Sequence, residues 1–475
     1  MIEYVVEVAF YISTVVTLFI FMLPSQYEPK RRESNNAPDE PKTTAQVLVL
    51  GDIGRSPRMQ YHALSIARGG GQVEIIGYHG EYILYFQRPG LTPGDVESEV
   101  HPDIAAHPRI SIVPIPSHPP ALQTSNKLLF LLFGPLKVLF QVVSVWWVLA
   151  YRTKPVKWLL VQNPPSIPTL AIASLVCFFR QTRLVIDWHN FGYTILALKL
   201  GDNHPLVKVS RWYENVFCRS AVAHFCVTKA MASVLKKEFN LQAPILPLHD
   251  RPAGHFQPIL DERERVRFLL SLPDAAPLHD QIEKRTAKVL VSSTSWTPDE
   301  DFSILIDALC QYSEVSTSQP QLPAVLTIIT GKGPQRDMYV ERISNLQKDG
   351  KLNNVTIRTV WLSTGDYARL LASASLGVSL HTSSSGVDLP MKVVDMFGSG
   401  LPVVGWSKFE AWPELVTESV NGKGFVSSDE LAEHLVDLLG NPSKLEKLRE
   451  GARDASSYRW DDEWGPVAGK LFGVV

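Results

Sequence analysis

The feature that most constrains this 475-residue chain is the alternation of short β-rich runs with helix-sized segments. In the first part of the chain these runs are Val47–Leu50, Val73–Gly77, Ile110–Ile115, Trp158–Val161, Leu184–Asp187 and Ala223–Val227. In the second part they are Val289–Val291, Val325–Ile329, Val355–Val360, Gly377–Leu380 and Pro402–Gly405. Such alternation is typical of parallel, doubly wound sheets. We therefore predict an α/β fold with two Rossmann-like domains.

The domain boundaries are predicted where the alternation stops. Residues 46–254 form the first predicted domain, a polar stretch at 255–287 is a linker, and residues 288–455 form the second domain. Residues 456–475 are predicted to be a helix that returns towards the first domain, and the Ser- and Gln-rich segment 311–321 to be a surface insertion. Because parallel sheets bind ligands at the carboxyl ends of their strands, we expect the site in a cleft that the two domains face.

The composition excludes several classes of protein. The chain has 46 basic and 48 acidic side chains, a net charge of −2, which argues against a nucleic-acid-binding protein. Its 4 cysteines contain no CxxC pair, so we predict neither a disulfide framework nor a cysteine zinc site. The cysteine usage indicates a reducing compartment or the reducing side of a membrane.

The amino terminus is predicted to be a membrane anchor. The first 23 residues are apolar apart from Glu3 and Glu7, and the basic cluster Lys30–Arg32 follows them. A signal peptide would need a basic segment before the apolar run and a small-residue cleavage site, and neither is present. We therefore predict a transmembrane helix over residues 1–24 and a tether over 25–45. The positive-inside rule places the rest of the chain in the cytosol.

A second apolar stretch, Leu128–Tyr151, allows three interpretations. Lys137 and Gln141 interrupt it, and Gly134-Pro135 lies within it. These residues make a membrane span costly. We favour a helix that lies in the membrane interface, while a span and a helix packed on its own domain remain alternatives.

Two motifs of the first part contain candidate functional residues. GDIGRSPRMQYHA, at residues 51–63, includes Gly54, Arg55 and Arg58 at a helix start, where two cations favour a bound anion or acceptor. A turn with a purely structural role is the alternative. LVIDWHNFGY, at residues 184–193, ends an apolar strand with Asp187 and His189. The histidine is either a structural residue or a residue of the predicted cleft.

Three motifs of the second part contain candidate residues, and two of them predict phosphate binding. STSWTPDEDF, at residues 293–302, ends in acidic residues that are also typical of a helix cap. GKGP, at residues 331–334, has the form of a phosphate-binding turn around Lys332, with the glycines Gly331 and Gly333. The third motif, SLGVSLHTSSSGVDLPMKVVDMFGSGLPVVG at residues 375–405, supplies the diphosphate-binding candidates Ser384, Ser385, Gly386 and Lys392, and the ribose-binding candidate Asp395. A capping box with a solvated face is the alternative for Asp388 and Lys392.

Together these strings, with Glu414-Leu415-Val416 and Asn421-Gly422, resemble the chitobiosyldiphosphodolichol β-mannosyltransferase family of the GT-B glycosyltransferases. The resemblance covers the chain from residue 46 onward. It implies transfer of mannose from GDP-mannose to GlcNAc2-diphosphodolichol, which forms the first β1,4-mannose of the lipid-linked oligosaccharide for protein N-glycosylation. It also implies a single-pass protein of the endoplasmic reticulum membrane with cytosolic catalytic domains. No tightly bound metal or cofactor is expected, and other transferases of the same pathway are possible partners.

The resemblance also assigns roles to residues of the predicted site. In related transferases the second acid of an E-x7-E pattern matches Asp395, but Asp388 precedes it by seven positions instead of eight, and both are aspartates. Inversion requires one base, for which we choose His189, with Asp187 and Asp52 as further candidates. Lys332, Lys392, the amides of 384–386 and Arg251 are expected to stabilise the leaving diphosphate. The alternatives are a GT-B transferase with a different nucleotide sugar and a catalytically silent scaffold of the same pathway.

Overall fold

The computed structural model describes residues 2–28, 40–79, 100–117, 119, 127–297 and 300–475. The chain divides into two compact units. The first unit consists of Met1–Cys226, Leu235–Leu246 and Trp464–Val475, and the second of Val227–Val234 and Pro247–Glu463. The carboxy-terminal segment from Trp464 onward therefore belongs to the first unit, and each unit is built around its own sheet.

The first unit contains a seven-stranded sheet with the order β3-β2-β1-β4-β5-β6-β7. Its strands are β1 (Thr44–Asp52), β2 (Gln72–Tyr78), β3 (Ile110–Pro114), β4 (Trp158–Asn163), β5 (Arg183–Trp188), β6 (Ala223–Cys226) and β7 (Ile245–Pro247). All neighbouring pairs from β3 to β6 are parallel. Because helices cover both faces of such a sheet, its central strands are mostly apolar, and Val47, Leu160 and Val185 have no exposed surface.

Helices precede, connect and cover the strands of the first sheet. They are α1 (Ile2–Phe21), α2 (Pro57–Arg68), α3 (Pro102–Ala106), α4 (Lys127–Trp147), α5 (Thr169–Arg180), α6 (Gly192–Leu200), α7 (Pro205–Phe217) and α8 (Lys229–Lys237). At the end of the chain, the aromatic ring of Phe472 packs edge-on against Trp158, with 5.5 Å between the ring centroids. This contact fastens the last residues to the first sheet.

The second unit contains a six-stranded sheet with the order β10-β9-β8-β11-β12-β13. Its strands are β8 (Ala287–Ser293), β9 (Ala324–Thr330), β10 (Val355–Val360), β11 (Leu376–Ser379), β12 (Val403–Trp406) and β13 (Gly422–Phe425). All of these pairs are parallel. The strand order is that of a Rossmann sheet, which confirms the prediction of two Rossmann-like domains.

The helices that follow α8 lie in the second unit as far as Glu463, whereas α19 lies in the first unit. They are α9 (Glu262–Ser271), α10 (His279–Glu283), α11 (Phe302–Ser318), α12 (Arg336–Lys348), α13 (Thr364–Ser373), α14 (Met391–Gly398), α15 (Trp412–Leu415), α16 (Ser428–Gly440), α17 (Pro442–Ser456), α18 (Trp460–Trp464) and α19 (Lys470–Phe472). A buried aromatic cluster that includes Trp296, Phe302 and Tyr312 forms part of the core of the second unit.

Two sequence interpretations of the second unit were wrong. The stretch 255–287, predicted to be a linker, contains α9 and α10. Half of the residues of α9 are charged, but its Phe268 and Leu269 are buried, so the helix packs on the second unit by its apolar side. The predicted insertion 311–321 lies mostly in α11, where Tyr312 and Ser316 are buried. The edge strands β7 and β13 were not predicted, because β7 has only three residues and β13 has the sequence GKGF, in which glycine and lysine are untypical of strands.

The two apolar amino-terminal segments are both helical. α1 covers 20 residues, and its described side chains are exposed, while the predicted tether lies partly outside the described residues. Among the side chains of α4 that the structure describes, Val145 near the end of the helix is buried, whereas Leu139 and Val143 are more than half exposed. By length and composition, Phe133–Arg152 could also cross a membrane. The interfacial position of this segment remains a prediction, and so does the anchor.

Candidate active site

A buried carboxylate organises the carboxyl end of the first sheet. Asp187, near the end of β5, has no exposed side-chain surface. The guanidinium of Arg58, on α2, donates two hydrogen bonds to the Asp187 carboxylate, from Nε over 2.8 Å and from Nη2 over 2.9 Å. Burial alone would raise the pKa of Asp187, but the charges of Arg58 and His189 outweigh it and hold this pKa well below its usual range. Asp187 is therefore a permanent anion, which suits a counter-ion better than a base.

A second histidine, which the sequence did not single out, completes the environment of Asp187. His62 is fully buried, and its Nε2 lies 3.3 Å from Asp187 Oδ2. Trp464 Nε1 donates to His62 Nδ1 over 3.0 Å. Because Nδ1 accepts this bond, the ring proton of the neutral histidine must be on Nε2, which points to Asp187. Burial lowers the pKa of His62, so the neutral form is favoured.

His189, the predicted base, is positioned by the same carboxylate. Its Nε2 lies 2.9 Å from Asp187 Oδ2, and a quarter of its side chain is exposed. Its backbone N–H donates to the Asn163 carbonyl over 2.9 Å, which fixes the turn after β5. With Nε2–H directed to the carboxylate, Nδ1 has a lone pair to accept a proton. A histidine oriented by an aspartate is the arrangement that general-base catalysis needs.

The turn after β1 uses its predicted site residues for internal contacts. Asp52 Oδ1 accepts from the N–H of Gly54 over 3.0 Å, and Asp52 Oδ2 lies 3.4 Å from Nε of Arg55. The anion that the sequence predicted for Arg58 is, in the structure, the side chain of Asp187. Only Arg55, whose side chain is half exposed, extends towards solvent. Asp52 is thus a capping residue of this turn.

In the second unit, Lys392 on α14 forms an ion pair with Glu300. The side chain of Glu300 is 3% exposed, and its other oxygen accepts from Thr294 Oγ1 over 2.7 Å and from Ser295 N over 2.9 Å. The sequence placed Glu300 in a capping triplet, whose Asp299 lies outside the described residues. In the structure Asp301 is the cap of α11, and Glu300 instead positions the predicted diphosphate lysine.

The pKa values of Asp388 and Asp395, the two aspartates compared with the E-x7-E pattern, are shifted in opposite directions. Burial, reinforced by the negative charge of Asp250, raises the pKa of Asp395 to about 8. Burial acts in the same direction on Asp388, but hydrogen bonds from His381 and Ser383 outweigh it and lower this pKa. A protonated Asp395 can donate as well as accept a hydrogen bond, which suits a hydroxyl-rich ligand such as ribose. Asp388 is occupied in holding the serine-rich loop.

The glycines of GKGP pack against the loop that follows β8. Gly331 has φ +143°, and a Cβ there would lie 1.8 Å from the carbonyl oxygen of Thr294. At Gly333 a Cβ would lie 1.7 Å from the carbonyl oxygen of Ser295. The Lys332 ammonium lies 4.5 Å from the ring centroid of Trp361, a residue that the sequence did not single out. A cation–π contact therefore holds the second predicted diphosphate lysine.

The serine-rich loop keeps two of its predicted residues partly accessible. Ser384 and Ser385 are neither buried nor fully exposed. Gly386 has φ +73°, and its carbonyl accepts from Glu410 N over 2.9 Å. A left-handed residue at this point lets the loop turn back before α14, as a glycine allows.

Arg251 belongs to a separate charged cluster that sequence reasoning missed. His249 lies between two carboxylates, 2.9 Å from Glu414 and 2.7 Å from Glu463, and Arg251 Nε donates to Glu463 over 2.6 Å. Burial lowers the pKa of His249, but the two glutamates outweigh this effect and raise it to about 9. Glu414 also accepts from the backbone of Lys229 and Ala230. The cluster connects distant segments of the second unit, and Glu414 was noticed in the sequence only as part of a motif.

Comparison with known proteins shows that this chain is similar to glycosyltransferases. Residues 287–441 match the family described as "Glycosyl transferases group 1". The chain is 56% identical over 460 residues to the chitobiosyldiphosphodolichol beta-mannosyltransferase of Arthroderma benhamiae, covering 96% of each chain. It is 41% identical to the UDP-glycosyltransferase TURAN of Arabidopsis thaliana, covering 90% of this chain and 97% of that protein. The sucrose-phosphate synthase of Thermosynechococcus elongatus is similar in fold, with a TM-score of 0.61 at 12% identity over 91% of this chain and 98% of that one.

Proposed function

The chain belongs to the chitobiosyldiphosphodolichol beta-mannosyltransferase family, and from this premise we propose that it transfers mannose to the chitobiose of chitobiosyldiphosphodolichol. The observation that carries the proposal is the 56% identity to a relative of that name over 96% of both chains. Similarity at this level covers both units, so it concerns the whole enzyme and not only the donor domain.

The donor that we propose is GDP-mannose. A mannosyl donor with a nucleoside diphosphate leaving group fits the lysines Lys332 and Lys392 and the start of α14 in the second unit. A UDP-sugar is the second candidate, because a relative with 41% identity is named a UDP-glycosyltransferase. The contacts of the second unit described above do not choose between the two nucleotide bases.

The reaction that we propose is a single displacement with inversion at the anomeric carbon. His189 Nδ1 accepts the proton of the acceptor hydroxyl while that oxygen forms the new glycosidic bond. The bond from the sugar to the diphosphate breaks, and the diphosphate leaves with the electron pair. The imidazolium that forms is stabilised by Asp187, 2.9 Å away and already ionised.

The acceptor carries a polyprenyl chain, so we propose that the enzyme works at a membrane surface. Support comes from the apolar composition of α1 and from the exposed apolar side chains Leu139 and Val143 of α4. We place the protein at the endoplasmic reticulum, with α1 as its single span and both units in the cytosol. Resistance of the full chain to carbonate extraction, lost on deletion of residues 1–23, would support this topology.

The decisive experiment supplies the purified full chain with chitobiose diphosphate on a phytanyl lipid. GDP-mannose and UDP-sugars are compared as donors, and the linkage of the product is determined. We expect a β1,4-mannosyl product from GDP-mannose only. Equal or preferential use of a UDP-sugar would overturn the donor proposal, and no glycosyl transfer from any donor by folded protein would overturn the enzymatic one.

The same assay tests the base. His189→Ala should lower kcat by at least about 100-fold, the usual contribution of a positioned base. His204→Ala, which replaces a partly exposed histidine that caps α7, is the matched control. Wild-type kcat and pH dependence in the His189 variant would show that another group takes the proton.

A further inference from the structure

A cavity of about 420 Å³ lies on the second unit, among α9, the start of β8 and α17. Five cationic side chains and two carboxylates line it, namely Arg265, Arg285, Lys288, Arg449, Arg453, Glu262 and Glu446. The volume is in the usual range for small-molecule sites. None of these residues has a role in the proposed transfer reaction.

The two carboxylates are already engaged by three of the arginines. Glu262 pairs with Arg285 over 3.1 Å. Glu446 pairs with Arg453 over 3.1 Å and lies 3.7 Å from Nε of Arg449. The cations of the cavity therefore outnumber the anions that could neutralise them.

Two cations have no such partner. Within the described part of the chain, the half-buried Lys288 has neither a hydrogen-bond nor an ion-pair partner. The Nε of Arg265 is buried and also lacks a hydrogen-bond partner. Buried polar groups are normally satisfied, so the unsatisfied Nε of Arg265 indicates room for a ligand, and the unpaired charge of Lys288 favours an anion.

The lowered pKa values of two cations of the cavity also favour a bound anion. Burial, followed by the charge of Arg449, lowers the pKa of Lys288. Burial, together with the charge of Arg265, lowers the pKa of Arg449 to about 9. This shift occurs although the Arg449 guanidinium donates hydrogen bonds to the carbonyls of Ala374 and Ser375, over 3.0 Å each. A bound anion would relieve both effects.

The cavity lies at the amino ends of the strands, whereas the proposed donor residues lie at their carboxyl ends. Ala287 and Lys288 begin β8, and Ser375 directly precedes β11, so these lining residues mark the amino ends of the strands. The donor residues follow the carboxyl ends. A seven-residue strand is about 20 Å long, more than one diphosphate can bridge.

We propose that this cavity binds a phosphate-class anion, a phosphate monoester or diphosphate, at a site separate from that of the sugar nucleotide. Four arginines and a lysine around one space match the several oxygens and the multiple charge of such a group better than they match a single carboxylate. The anion could be free in solution or be the headgroup of a phosphomonoester lipid, and the shared chemistry is the terminal phosphate.

The test is a thermal-shift and calorimetric titration of the full chain in detergent with sodium pyrophosphate, against sodium chloride at equal ionic strength. A parallel series of titrations uses the Lys392→Ala variant, in which binding of pyrophosphate at the proposed donor site is weakened while the cavity is unchanged. We expect saturable binding that persists in this background. A second arm replaces pyrophosphate with mixed micelles that contain phosphatidic acid or, as control, phosphatidylcholine.

Lys288→Gln and Arg265→Gln should each weaken binding by at least about tenfold, the effect of one lost charge-assisted hydrogen bond. Lys447→Gln, which removes an equal charge from the exposed face of α17, should not. A response to phosphatidic acid but not to pyrophosphate would identify the lipid headgroup as the source. No response in either arm, or equal affinity in the cavity variants and the Lys447 variant, would overturn the proposal.

Discussion

Replacement of Asp187 with Asn is the sharpest test of the buried cluster in the first unit. The side chains of Arg58 and Asp187 are 3% and 0% exposed, and two hydrogen bonds of 2.8 and 2.9 Å join them. Removing one partner of such a pair leaves an uncompensated buried charge and costs about 3–5 kcal/mol. For a unit of this size, that loss lowers the Tm by about 6–20 °C.

The measurement must report on the first unit alone, because two units need not unfold together. Hydrogen exchange in peptides from α2 and β5 gives that local reading, and peptides from β9 serve as the internal reference. Asp103→Asn is the matched control, since Asp103 pairs with Arg68 over 2.6 Å but both side chains are half exposed. An exposed pair contributes about 0–1 kcal/mol.

Two results would refute the reasoning about Asp187. One is a loss of less than about 1 kcal/mol in the Asn variant, and the other is a loss equal to that of the Asp103 control. The double variant Arg58→Met, Asp187→Leu separates stability from chemistry. It should recover most of the stability, because an apolar pair can replace a buried ion pair, but it should remain inactive because His189 loses its orienting carboxylate.

Three further predictions concern single contacts. Gly331→Ala should destabilise the second unit by more than about 2 kcal/mol, since its Cβ would meet a carbonyl oxygen at 1.8 Å, whereas Gly365→Ala, with open space around it, should be nearly neutral in urea unfolding. The stability from His249 should be fully present below about pH 6.5 and lost as the pH rises through about 9, so His249→Asn should flatten the alkaline side of a Tm–pH profile. Trp464→Phe should cost about 1–2 kcal/mol in the first unit, because a buried hydrogen bond to His62 is lost; unchanged stability would show that this bond contributes nothing.

The sequence predicted the architecture well because parallel sheets leave a strong local signal. A strand buried on both faces is mostly apolar along its length, as β9 is apart from Thr327 and Thr330, and turns and helices must separate such strands. In the described part of the chain, eleven of thirteen strands were recognised in this way. The two that were missed are β7, which has only three residues, and β13, whose sequence GKGF is rich in glycine.

The candidate site was predictable only in part. The sequence pointed to His189 and Lys392 because each lies next to a strand end or helix start with a recognisable motif. It could not show that Asp187 neutralises Arg58, or that Glu300 holds Lys392, since these partners are 129 and 92 residues apart in the chain. His62 and Trp464, separated by 402 residues, left no signal at all.

What the sequence determined by itself is the order of strands and helices, the two-domain plan and the family, since these depend on local periodicity and on strings of neighbouring residues. What only the tertiary structure decided is which charges neutralise one another and which remain without a partner. Asp187 became a buried counter-ion, His249 a histidine between two glutamates, and Lys288 a cation without a partner among the described residues. The physical reason is that the electrostatic environment of a side chain depends on distances in space and on burial, and folding sets both by joining segments that are far apart in the chain.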